Sequence, residues 1–78
     1  MKLAYDPRYN IAYIRLEEAS SAVETLHISD ELNVDLTPDG KIYGFELLNA
    51  NQQLSGSGDG KLILENEATG ATAEILLP

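Results

Sequence analysis

A small, mainly β domain of six or seven antiparallel strands built from hairpins, as one sheet or a sandwich, is the fold class this sequence predicts. Three observations predict it. Apolar and polar residues alternate from Leu32 to Leu36, run into Pro38-Asp39-Gly40, and alternate again from Ile42 to Leu47, the pattern of two strands joined by a tight turn. A second such unit closes the chain, where residues 61–65 and 71–77 flank the turn-forming stretch 66–70. Elsewhere helical periodicity is weak, and at most one short helical turn, near residues 50–54, interrupts the strands.

Each element has a local reason. Residues 2–6 form a short strand that ends where Pro7 removes a ladder donor and Asp6 favours a turn. Residues 11–17 fit a helical face through Tyr9, Ala12, Tyr13 and Leu16, but strand wins because Ile and Tyr dominate and no capping box opens a helix. After the polar connector 17–21, residues 22–29 make a third strand with Leu26 and Ile28 on one face. A turn or bulge at Ser29-Asp30-Glu31 precedes residues 32–37, so these two segments are one bent strand or two.

The central hairpin admits two registers. A two-residue turn at Asp39-Gly40 sets Leu36, Val34 and Leu32 opposite Tyr43, Phe45 and Leu47, apolar against apolar, and this is the register the hydrophobic pattern favours. A three-residue Pro-Asp-Gly loop with Gly40 left-handed is better turn chemistry but sets the same residues opposite Ile42, Gly44 and Glu46. Residues 42–48 are apolar on both sides apart from Gly44 and Glu46, which predicts a central strand with another element over its second face. Asn49 and Gln52 have N-cap spacing for the short helical turn. Ser55-Gly56-Ser57-Gly58-Asp59-Gly60 reads as a flexible connector.

The chain is thus one domain over residues 1–78, with a core at 1–54, the connector 55–60 and a C-terminal hairpin 61–78. A chain of 78 residues draws only about 3 to 5 kcal/mol from a single core. The absence of Cys removes disulfides and thiolate metal sites. Self-association as a homo-oligomer is therefore expected, the more so because a two-stranded hairpin alone is marginal in water and must dock on the sheet or on a neighbour.

Thirteen acidic residues against five basic ones give a net charge of -8, which repels phosphate backbones and anionic headgroups. Neither nucleic acid nor membrane is an expected partner; a solvated acidic surface, or one that meets a basic protein, is. The apolar run Leu3-Ala4-Tyr5 is far too short for a signal-peptide core and no window could span a bilayer, so the cytoplasm is the expected compartment.

The chemical motifs are sparse. Residues 56–61 superficially match a phosphate cradle, but a P-loop needs Gly at Ser55, Ser or Thr at Leu62, and a helix where a strand is predicted. Asp30, Glu31, Asp35 and Asp39 could gather round a hard cation, yet their spacing suits turns and a solvated strand face better. His27, the only histidine, could pair with Asp6, Glu17 or Glu46 for acid and base work, but it lies on the face opposite Leu26 and Ile28, where an exposed histidine is ordinary. Ser20, Ser21 and Ser29 sit in connectors without the glycine elbow of a nucleophile. The expectation is no catalytic residue, no metal and no cofactor. The aromatic residues Tyr9, Tyr13 and Tyr43, with Arg15, are the candidate partner-binding residues, because Tyr is enriched at protein interfaces.

The blocks Tyr5-Asp6-Pro7, Ala12-Tyr13-Ile14-Arg15-Leu16, Val23-Glu24-Thr25, residues 36–40 and residues 42–50 occur in an order that resembles the small prokaryotic family called domain of unknown function 2283. The resemblance covers about residues 3–54 and leaves 55–78 outside. Asn10 departs from the acidic residue the family pattern implies. The family has no established activity. The resemblance implies a small antitoxin-like partner protein, since genes of the family often neighbour those of small toxin-like proteins. Together these readings predict a non-enzymatic protein-interaction module, with a small metal-dependent or carboxylate-using enzyme as the alternative.

Overall fold

The computed structural model describes residues 1–18, 22–55 and 58–78. Along the chain run β1 (Lys2–Asp6), β2 (Ile11–Arg15), β3 (Glu24–Ser29), β4 (Leu32–Leu36), β5 (Ile42–Leu48), the helix α1 (Ala50–Ser55), β6 (Lys61–Glu65) and β7 (Thr72–Leu76). The first five strands form one antiparallel sheet in the order β1-β2-β5-β4-β3, and β6 pairs only with β7. The expected connector at 55–60 and the polar connector at 17–21 fall partly outside the described residues.

The most apolar strand, β5, is central, as its composition predicts. Both hairpin registers occur, one at each end of the β4–β5 pair. Leu32 faces Leu47 and Val34 faces Phe45, the apolar register, but Leu36 faces Ile42 after a shift at Asp35. Thr37 and Lys41 close the loop with a 2.8 Å bond from the Thr37 amide to the Lys41 carbonyl, and Gly40 takes φ +85°, the left-handed residue a three-residue loop requires. Tyr43 is the extra residue that reconciles the two, a bulge in β5. Its carbonyl accepts the Leu16 amide at 2.8 Å, extending the β2–β5 pairing. Segments three and four are two strands, not one: β3 bulges between His27 and Ser29, and the chain turns at Asp30-Glu31.

Because side chains alternate along strands, the register sorts this sheet into two unlike faces. One carries the rows Tyr5-Ala12-Leu47-Leu32 and Leu3-Ile14-Phe45-Val34-Leu26; the other carries Ala4-Tyr13-Glu46-Asn33-His27 and Lys2-Arg15-Gly44-Asp35-Thr25. The first is apolar and the second largely polar. α1 packs on β2, and the tyrosine hydroxyl of Tyr5 donates to Asn51 Oδ1 at 2.6 Å. Ala12 (1% exposed) and Ala50 (0% exposed) are the two fully buried apolar residues among those described, small enough to let helix and sheet backbones approach. Among the described residues no second layer covers the rest of the apolar face, whose residues are half-buried or exposed.

The expectation that another element lies over the second face of β5 is corrected here. The cover is a side chain: the ring of Tyr13 lies across Gly44 on the polar face.

Two non-glycine residues, Asn10 (φ +57°) and Asn49 (φ +59°), adopt left-handed backbone, which Asn tolerates better than most residues. Asn10 then caps α1 from outside the helix. Its carbonyl accepts the Ala50 amide at 3.1 Å and its Oδ1 accepts the Asn51 amide at 2.7 Å. Gln52, expected to reach back to the Asn49 backbone, instead accepts the Asn49 side-chain amide at 2.8 Å. Asn10→Ala removes the cap and strains the turn, and is expected to cost about 1 to 2 kcal/mol. Urea unfolding measures that loss; Asn10→Asp should recover most of it, since a carboxylate also accepts amides at a helix N-terminus.

The C-terminal hairpin forms as predicted, with Gly70 at φ +79° in the turn and Asn66 bonded to Ala71 at 2.8 Å. Every residue of β6 and β7 is exposed. The chain presents 5766 Å² to solvent, whereas a folded monomer of 8.5 kDa exposes about 4,650 Å². Its radius of gyration is 14.0 Å, against about 11.5 Å for a compact chain of this length.

Candidate functional site

The polar face carries two chains of side-chain hydrogen bonds among the described residues. Four strands build it: β2 contributes Tyr13 and Arg15, β5 contributes Gly44 and Glu46, β4 contributes Asn33 and Asp35, and β3 contributes Thr25 and His27. Glycine at position 44 leaves room for the Tyr13 ring to cross β5. A Cβ there would lie 2.6 Å from the Ile14 carbonyl oxygen and 2.7 Å from Tyr13 Cε1. Having crossed, the Tyr13 hydroxyl donates to Asp35 Oδ2 at 2.6 Å, while Thr25 Oγ1 donates to Asp35 Oδ1 at 2.6 Å. This one carboxylate on β4 ties β2 and β3 to its own strand, with the Tyr13 ring passing over β5 between them.

A second chain runs beside it. Asn33 Nδ2 donates to Glu46 Oε1 at 3.1 Å, which leaves Asn33 Oδ1 as the acceptor for His27 Nδ1 at 2.8 Å. The network therefore requires the His27 proton on Nδ1, with Nε2 3.9 Å from Asp30 Oδ1. Of the carboxylates that the sequence offered to His27, Glu46 is linked to it through Asn33, whereas Asp6 pairs with Arg8 at 2.9 Å. Glu17 lies in the connector after β2.

Partial burial, then the bond to Asp35 and the neighbouring negative charge, push the Tyr13 hydroxyl well above the ordinary tyrosine range. It stays a neutral donor at physiological pH. The folded chain keeps this proton longer than the unfolded chain as pH rises, so the contribution to stability is full below about pH 10 and is lost above it. Tyr13→Phe is expected to cost about 1 kcal/mol at neutral pH and to remove that part of the alkaline decline, as followed by urea midpoints from pH 8 upward (about two units below the ordinary tyrosine value).

The four acids considered for a cation are spent separately. Asp35 holds Tyr13 and Thr25; Glu31 Oε2 accepts the Asn49 amide at 3.4 Å; Asp30 stands by His27; Asp39 accepts the Thr37 hydroxyl. The Thr37 bond, with Lys41 nearby, holds Asp39 below the ordinary carboxylate range. Asp6 is likewise lowered, by its bonds to Arg8. Among the described residues no three His, Asp or Glu side chains gather as metal ligands, and no helix is long and apolar enough to cross a membrane. Within the loop read against a phosphate cradle, Lys61 pairs with Asp59 at 3.5 Å and Glu74 at 3.6 Å, and β6 follows.

Of the four residues expected to meet a partner, Tyr13 and Arg15 share the polar face, Tyr43 occupies the β5 bulge, and Tyr9 lies in the β1–β2 turn, 75% exposed with the Arg8 guanidinium 5.5 Å from its ring centre. They do not form one cluster. The residues that sequence reading missed are Gly44 and Asp35 as partners of Tyr13, and Asn10 as a cap. A glycine inside an otherwise apolar strand was the available signal for the first, since it marks close approach.

The model of a family described as a protein of unknown function (DUF2283) matches residues 2–51. No curated protein and no solved structure matches the chain.

Proposed function

The chain belongs to the DUF2283 family of proteins of unknown function, and from its two-faced sheet we propose that it is a non-enzymatic protein-interaction module. The observation that carries this reading is the apolar sheet face, which one short helix covers at one end and which, among the described residues, has no comparable cover over the rest. Leaving such a face in water is unfavourable, and contact with another protein surface relieves that cost. The excess of roughly 1,100 Å² over a compact monomer exceeds the share that one partner of a standard interface buries, about 800 Å².

The opposite face has the other properties of a recognition surface. Its side chains are held by mutual hydrogen bonds, so little ordering entropy is lost on contact, and the net charge of -8 favours a basic partner. An antitoxin-like subunit that binds a small basic protein fits both. The network binds its acids and its histidine to one another rather than to a shared open point, which supports binding over catalysis.

Affinity capture with the tagged full-length chain from its native host tests this. A basic protein should be retained, released by rising salt, and lost from a variant in which Asp35→Asn and Glu46→Gln neutralise the polar face. Capture of no protein would contradict the reading, and capture of one whose retention ignores both salt and these substitutions would contradict a basic partner on the polar face.

A further inference from the structure

We propose that the apolar sheet face and the apolar face of the β6–β7 hairpin are the two halves of a homodimer contact, the hairpin of each chain covering the sheet of the other. This rests on the interaction-module reading and names one occupant for the open face: a second copy of this chain.

The register sets Leu62 opposite Ile75 and Leu64 opposite Ala73, so one face of the hairpin is wholly apolar. It is also open: Leu62 is 43%, Ile75 61% and Leu64 72% exposed. The other face is mixed: Glu65, Thr72 and the Lys61–Glu74 pair stand beside Ile63 and Leu76, so charge on that side opposes close approach of a second acidic chain. Within one chain the hairpin stands at the β1 edge. There Leu3 and Tyr5 of the sheet and Leu62 and Ile75 of the hairpin line an open groove of about 360 Å³. A chain thus carries an uncovered apolar sheet face and an uncovered apolar ribbon, separated by a gap. A two-fold axis lets each fill the need of the other.

Charge narrows the geometry. Two chains of -8 repel one another on any carboxylate-bearing surface. The inner rows of the apolar face, Tyr5-Ala12-Leu47-Leu32 and Leu3-Ile14-Phe45-Val34-Leu26, carry no charged residue. Close approach is open to two copies there and on the matching ribbon. The surplus area per chain, roughly 1,100 Å² by the size scaling of monomers, exceeds the share of one partner in a standard interface, about 800 Å².

Sedimentation equilibrium of the full chain over a concentration series tests this, with two variants chosen for exposed positions on opposite hairpin faces. The wild type should have twice the mass of one chain. Leu64→Glu should raise the dimer dissociation constant at least tenfold with an unchanged far-ultraviolet circular dichroism spectrum, whereas Ile63→Glu, on the other face, should leave the dimer intact. A dimer indifferent to Leu64→Glu, or broken by Ile63→Glu alone, would overturn the proposed contact. A monomeric wild type would also overturn it, and binding of the apolar dye ANS then separates two outcomes. A monomer that binds the dye keeps an open face and leaves the interaction module standing; a monomer that does not bind it defeats both readings.

Discussion

Gly44→Val is expected to destabilise the chain by about 3 kcal/mol or more, the upper end of the cost of forcing extra atoms into a packed site. The reason is local and has two parts. A Cβ at this position meets the carbonyl oxygen of Ile14 at 2.6 Å, and that atom belongs to the adjacent strand backbone, which cannot turn away. It also meets Cε1 of Tyr13 at 2.7 Å, and displacing that ring breaks the bond to Asp35, adding about 1 kcal/mol. Gly44→Ala should show the same effects in smaller measure. Combining Gly44→Ala with Tyr13→Ala in a double-mutant cycle should give a coupling of about 1 kcal/mol, because the ring clash disappears while the carbonyl clash remains. If urea midpoints put Gly44→Ala within about 0.5 kcal/mol of wild type, as for an ordinary surface substitution, then Tyr13 does not cross β5 as described.

Ala12→Leu should be the second large loss, about 2 to 3 kcal/mol. Ala12 is 1% exposed and Ala50 is 0% exposed, and α1 packs on the strand that carries Ala12. A leucine there displaces the helix. The signature is then specific: the amides of Ala50 and Asn51, held by Asn10, lose protection from hydrogen exchange, while amides in the β4–β5 pair keep theirs. Uniform loss of protection across the sheet would show instead that helix docking and sheet formation are one cooperative unit.

The strands were legible in the sequence because their causes are local: alternation, β-branched and aromatic content, and turn residues at Asp39-Gly40 and residues 66–70. The hairpin register was legible in part. Hydrophobic pairing and turn chemistry demanded different answers, and the chain satisfies both by spending Tyr43 on a bulge. Alternation cannot announce a bulge, since the extra residue is what breaks the period. The composition of β5 showed a central strand but misled about its cover. Apolar character on two sides signals burial without saying whether a helix, a sheet or a single ring provides it.

The polar face was less legible because its bonds span 22 residues from Tyr13 to Asp35 and 13 from Asn33 to Glu46. Spacing along the chain carries no sign of such pairs until the strand order is known. Asn10 is a similar case. Read alone it is a turn residue that departs from a family pattern; in the fold it supplies two acceptors to a helix 40 residues further on. The open apolar face, by contrast, follows from what the sequence does show. It has apolar alternation for one sheet and a hairpin, and too few other elements to cover both.

Thermal unfolding of the full chain as a function of its concentration tests that claim most directly. If the apolar face is covered by a second copy of the chain, folding is linked to association, and the midpoint rises steadily with concentration, with hairpin amides protected only where the dimer dominates. A midpoint that stays constant across the series, with β6 and β7 amides protected as strongly as those of β5, would mean that one chain covers its own apolar surface, and would contradict the account.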